Sequence, residues 1–170
     1  AFPVVFGEGL VYSPSGKTGV SVRSLPSDYY RSDAGIAEYL SIEDGEFQLE
    51  ARQDAMLSAQ VAEKLGVSVG DRIRLLTAKP MPGRAPILRP SFFTVTGVFS
   101  TGYYKLDALS MYSPVETCSV ILDKPNSYTI GVKLEHPYQN AGSMAQDLLK
   151  KLSNNWYVYT WYSLERPMLD

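Results

Sequence analysis

The sequence predicts an α+β fold: a split α/β subdomain formed by residues 1–25 and 126–170, with a β-rich subdomain, residues 26–125, inserted into it and carrying a long protruding hairpin. Three observations lead there. Tyr128 to Glu135 alternates with Ile130, Val132 and Leu134 on one face, an amphipathic stretch follows from Ala141 to Leu152, and "NNWYVYTWY" returns with strand-like composition. A helix–turn–strand pattern runs from "DAMLSAQVAEKLGV" through "SVGD" into Arg72. Finally, Arg72–Leu76 and Phe93–Phe99 alternate apolar and polar side chains as a hairpin does, yet the segment between them, "TAKPMPGRAPILRPSFF", holds Pro80, Pro82, Pro86 and Pro90.

Taken in order, Phe2 to Phe6 and Gly19 to Arg23 read as short strands separated by the turn-forming "SPSGKTG". "PSDYYRSDAGIAEYLSIEDGEF" reads as loop with one helical turn. In "DAMLSAQVAEKLGV", Met56, Leu57, Val61 and Leu65 fall at helical spacing and Gly66 ends the helix. The hairpin follows, its connection read as a proline-stiffened loop of about fourteen residues where two to five would suffice. "STGYYKLD" is a turn or bulge and Ala108 to Tyr112 a strand. Ser113-Pro114-Val115-Glu116 has the order of a capping box with proline at the first helical position, so a helix should run to about Leu122. "DKPNS" breaks it. The closing strand–helix–strand is a βαβ unit, whose two strands should be parallel. Its last strand gathers Trp156, Tyr157, Tyr159, Trp161 and Tyr162, read as core and helix-facing rings in preference to a stacking platform.

Composition narrows the chemistry. The chain is 45% apolar and 20% charged, as globular proteins are, and no apolar run reaches the roughly 18 residues of a membrane span. The first residues, "AFPVVFGEGL", lack the layout of a signal peptide, and a chain that begins without Met reads as a piece of a longer polypeptide. Cys118 is the single cysteine, so no internal disulfide forms; a buried thiol is the expectation. The lone histidine, His136, precedes a proline at a turn and has no companions at ligand or triad spacing. Nucleotide-loop and nucleophile-elbow motifs are missing as well. The reading therefore assigns no catalytic residue, no metal and no cofactor.

Charge is unevenly distributed. From Arg72 to Lys105 there is no Asp or Glu, while Arg72, Arg74, Lys79, Arg84, Arg89 and Lys105 are basic. That stretch carries +6 in a chain of net charge −2, so the remainder carries −8 and disfavours nucleic acid as a partner. Within the basic stretch, Ile87 and Leu88 have no evident core to enter, which marks the hairpin as a contact surface.

The segments "LSAQVAEKLGVSVGDRIRLLT", "FFTVTGVFSTGYYKLDALSMYSPVETC" and "IGVKLEHPYQN", followed by "LLKKLS" and "YVYTWYSLERPMLD", resemble in order and spacing the periplasmic domain of ABC transporter permeases of the LolC/LolE lipoprotein-releasing type, related more distantly to MacB and FtsX. The resemblance covers about residues 20–170. It implies a location on the periplasmic face of the bacterial inner membrane and a split into a Porter-like part (1–25 and 126–170) and a Sabre-like part (26–125). It also implies ATP chemistry in a separate ATP-binding subunit, and a second permease copy or paralogue beside this one. "KPMPGRAPILRPSFF" resembles the Hook, the hairpin arm (77–91 here) with which such permeases capture a LolA-like lipoprotein carrier. By that resemblance Pro82, Gly83, Arg84, Pro86, Ile87, Leu88 and Arg89 form the carrier dock and a lipoprotein is the substrate. The alternative is a MacB-like or FtsX-like coupling domain that binds an efflux partner or a cell-wall hydrolase, which leaves the basic arm without a purpose.

Overall fold

The computed structural model describes residues 1–32, 35–124, 129–153 and 155–160. The chain forms two compact units, Phe2–Gly131 and the segment from Val132 onward, to which Ala1 attaches.

In the first unit, Phe2–Val4 (β1) pairs antiparallel with Thr129–Gly131 (β9) in a two-stranded sheet. The other strands make a seven-stranded sheet. Phe6–Tyr12 (β2) and Lys17–Ser24 (β3) form a hairpin closed at Ser13, which accepts the Gly16 N–H on its Oγ. After the single helical turns Tyr29–Ser32 (α1) and Ile36–Tyr39 (α2) come Ser41–Gly45 (β4) and Asp54–Ser58 (β5), then Ala59–Leu65 (α3). Arg72–Met81 (β6) and Arg84–Ser100 (β7) follow; the one-turn Tyr104–Asp107 (α4), Ser110–Ser113 (β8) and Val115–Ile121 (α5) complete it.

Strand order is β4-β7-β5-β8-β3-β2-β6, and β6 pairs back onto β7. Thr94 of β7 is opposite Asp54 of β5 and also opposite Arg72 of β6, so these two strands flank β7 on opposite sides. Six strands therefore close into a ring, with β4 appended to β7. Alternating residues turn inward and build the core: Val11, Val22, Leu57, Ile73, Leu75, Phe93, Val95 and Met111, all nearly or fully buried. Leu25, Leu40, Leu49, Met56 and Phe99 make a second cluster, against which Tyr30 and Tyr112 pack.

Several expectations change here. Met56 and Leu57 belong to a strand, not to the helix. Every residue of β5 is buried, because it lies between β7 and β8 and packs into both clusters, so its sequence shows no alternation. The helix begins only after Ser58, whose Oγ accepts the Val61 N–H, and ends as expected at Gly66 in the left-handed region. The capping box at 113–116 does not form: Ser113 ends β8 and donates its hydroxyl to the Asp54 carbonyl, and Pro114 takes the N-cap position. β2 and β3, grouped by sequence with the C-terminal segment, are bonded to β6 and β8 from the middle of the chain. β4 lies where only loop was expected. Its alternation is obscured by a register shift between Ile42 and Asp44.

In the second unit, Pro137–Lys151 (α6) starts after His136. Leu148 and Ala145 of its apolar stripe are half-buried, whereas Met144, Leu149 and Leu152 are exposed. The expected βαβ unit is not formed among the described residues. β9 is only three residues long and antiparallel to β1, and residues 156–160 belong to no strand. Side-chain alternation supplies a pattern but no neighbour, and a strand without a ladder does not persist. Trp156, Tyr157 and Tyr159, read as core rings, are exposed; Tyr128, Trp161 and Tyr162 lie outside the described residues.

Candidate docking arm

Beyond the ring, β6 and β7 continue as a two-stranded ribbon. Their ladder runs from Arg72↔Thr94 through Leu76↔Pro90, Thr77↔Arg89 and Lys79↔Ile87 to Met81↔Arg84. The fourteen-residue loop expected from the sequence is thus a ladder closed by a two-residue turn, Pro82-Gly83. Gly83 has φ +67°, which a residue with Cβ rarely adopts, and proline before it supplies the fixed φ of a turn's first corner.

The prolines do not break the ladder, for reasons of parity and of register. Successive residues of a strand turn their N–H groups to opposite sides. Thr94 donates its N–H to the Gln53 carbonyl, on the β5 side, so even-numbered residues of β7 point N–H away from β6. Pro90, opposite Leu76, occupies such a position and removes no donor from the ribbon, whereas Pro80 and Pro86 lie where the register shifts between Lys79 and Met81, a bulge that accommodates residues without a ladder donor. At Pro90 proline removes the outward donor, which makes that flank of the arm a poorer edge for a further strand.

Every residue from Pro82 to Leu88 is exposed. Ile87 is 51% and Leu88 62% accessible, and by the alternation of β7 they stand on opposite faces of the ribbon. Arg84 is exposed at the turn. Arg89 is different: its Nη2 lies 3.1 Å from Asp123 Oδ1, and Lys79 Nζ reaches the same carboxylate at 3.2 Å. Thr77, buried one step from Lys79 on the core-facing side, donates its hydroxyl to the Ile121 carbonyl at 2.8 Å. The structure thus brings Pro82, Gly83, Arg84, Pro86, Ile87 and Leu88 together at the free end and places Arg89 at a tethered base.

Sequence reasoning missed Asp123, Thr77 and Phe92. Asp123 has φ +56°, and its N–H and that of Lys124 bond back to the Val120 and Ser119 carbonyls, the closing pattern of a helix whose last residue turns left-handed. The available signal was an aspartate, a residue that tolerates this conformation, at the end of a predicted helix. Phe92 is exposed beside Tyr12, Pro14, Arg72 and Arg74, which line a shallow groove of about 510 Å³. The Arg74 guanidinium lies over the Tyr12 ring at 5.4 Å.

No group of three or more metal-ligating side chains occurs among the described residues. Cys118 is fully buried and burial pushes its thiol up to about 12. Asp107 is buried at the end of α4. Burial raises its carboxyl, but hydrogen bonds from Thr101, through hydroxyl and N–H, and from Ser100 outweigh this and hold it below the ordinary value. It organises the loop between β7 and β8.

Comparison with known proteins agrees with this architecture. The family model of the MacB-like periplasmic core domain matches residues 1–150. A lipoprotein-releasing system transmembrane protein LolC from Neisseria meningitidis serogroup B is 28% identical over 180 residues, covering all of this chain and 41% of that protein. One from Xylella fastidiosa strain Temecula1 is 28% identical over 124 residues, covering 71% of this chain and 28% of that protein. The chain therefore spans less than half the length of these relatives. Among solved structures, the extracellular domain of the noncanonic ABC-type transporter YknZ from Gram-positive bacteria superposes with a TM-score of 0.55 at 17% identity, over 90% of this chain and 73% of that one. With a ring of mixed strands, a projecting ribbon and a family model that spans residues 1–150, this chain belongs to the MacB-like periplasmic core domain family.

Proposed function

We propose that this chain is the periplasmic domain of an ABC transporter permease of the lipoprotein-releasing type, and that it docks a LolA-like carrier through the tip of the β6–β7 arm. The domain acts as a receptor and takes no catalytic part; ATP hydrolysis belongs to a separate subunit, and the permease works beside a second copy or a paralogue. The observation that supports this reading is the arm itself: a stiff ribbon with exposed Ile87 and Leu88 on its two faces, Arg84 at its turn and no acidic residue from Arg72 to Lys105. Rigid exposed apolar anchors with a charge-assisted donor are the makings of a binding hot spot, because little conformational freedom is lost on docking. The kinship with LolC proteins supports the carrier as the partner.

Calorimetric titration with the carrier of the same organism tests it. The intact domain should bind saturably and more weakly as salt rises, while an Arg84→Glu/Leu88→Ser variant should bind at least roughly tenfold more weakly, as loss of two central anchors implies. Equal affinity of the two proteins would reject the arm as the dock.

A further inference from the structure

We infer that Asp123 is a positioning residue for the arm: its carboxylate gathers Lys79 and Arg89 from the two opposite strands of the ribbon base and sets both the direction of the arm and the orientation of the Arg89 guanidinium toward a carboxylate on the partner. This deepens the docking reading and rests on it.

The geometry is specific. Lys79 Nζ lies 3.2 Å from either carboxylate oxygen and Arg89 Nη2 lies 3.1 Å from Oδ1, so one acidic group spans both strands. Beside it, Thr77 donates to the Ile121 carbonyl, so the C-terminal end of α5 grips the ribbon at two consecutive inward positions of β6. Lys124, the next residue, donates to the Phe6 carbonyl at 2.8 Å and stands over the Phe6 ring at 5.1 Å, which fixes the same helix end to β2. The helix terminus therefore has an anchor in the ring and a grip on the arm. Asp123 holds this place at a left-handed φ of +56°, where glycine is the favoured occupant and aspartate is tolerated at a smaller cost than most side chains. A side chain is retained at a position that favours having none, and that side chain makes the contact with both cations.

Charge count distinguishes positioning from masking. Two cations share one anion, so the base of the arm stays positive after the contact is made. Asp123 engages one terminal nitrogen of Arg89, and a guanidinium has further N–H donors for a second acceptor. The internal carboxylate thus steers the fork without saturating it.

The test uses a sign. Asp123→Asn makes the domain more positive by one charge, so attraction by bulk charge alone would tighten docking of an acidic surface. Positioning requires the opposite: binding of the LolA-like carrier weakened roughly two- to fivefold, the range that an exposed ion pair supports. In an Arg89→Gln background the same substitution should weaken binding by less, since only the Lys79 contact remains to be lost. Asp123→Gly relieves the left-handed cost, so it should keep the fold at least as stable as the parent while reproducing the weaker docking. Amide hydrogen exchange of residues 77–91 provides a readout without the carrier and should accelerate in both Asp123 variants. Tighter binding by Asp123→Asn, or exchange unchanged in both variants, overturns the inference. If the intact domain fails to bind the carrier, the docking reading falls and exchange alone decides: acceleration keeps Asp123 as the residue that positions the arm, and no change removes that role.

Discussion

Buried single residues here are structural, and Cys118 shows it most directly. Its thiol is fully enclosed and donates to the Ser113 carbonyl at 3.8 Å. With ionisation pushed up to about 12, the thiolate that reacts with alkylating reagents is scarce at ordinary pH. We expect no labelling by a thiol reagent at pH 8 in the folded protein and stoichiometric labelling in denaturant; mass spectrometry reads both. The pH consequence has a definite sign. Between the unfolded thiol's value near 9 and the folded value near 12, the folded state holds a proton that the unfolded state has released, so this residue makes stability fall as pH rises through that window. The burial of Cys118 was legible from residue type alone, since free cysteine is a small apolar side chain in practice. The part played by Asp123 was not legible, because it depends on two cations 44 and 34 residues away in sequence.

At the scale of elements, the hairpin and the helix before it show what local pattern conveys. α3 was legible from Val61 to Gly66, where spacing and a left-handed glycine agree, but Met56 and Leu57 were drawn into it because a strand buried on both faces looks like any apolar run. Conversely, four prolines made a ladder look like a loop. Proline forbids donation, but not membership of a ribbon at positions whose N–H points outward. This parity yields an asymmetric expectation. Ile87→Pro places the missing donor opposite Lys79 inside the ladder and should unpair the ribbon's outer half, with loss of about 1 kcal/mol of local hydrogen bonding and faster amide exchange from Ala78 to Arg89. Leu88→Pro, one residue on, should leave that exchange nearly unchanged. Equal effects of the two substitutions would contradict the register.

For the whole molecule, the arm and the ring are separable in energy although continuous in chain. None of the residues from Pro80 to Pro90 enters either apolar cluster. Replacing residues 78–88 by Asn-Gly, which joins the paired Thr77 and Arg89 through a two-residue turn, should move the thermal midpoint by no more than about 4 °C while abolishing carrier binding. A larger loss would show that the ribbon supports the ring. The α+β class was readable from the alternating and helical stretches together. The closure of the strands was not, because it depends on Thr94 having Asp54 on one side and Arg72 on the other, a relation that no window of sequence contains. That closure has a mechanical meaning. The arm grows from the two strands whose ladder seals the ring, and each is also bonded to a different neighbour, β6 to β2 and β7 to β5. A pull on the tip along the ribbon therefore loads those ladders in shear, many bonds at once, instead of peeling them open singly. Under the proposed docking, a partner that tugs on this arm, or is tugged by it, sends the strain to opposite sides of the barrel wall at the same moment.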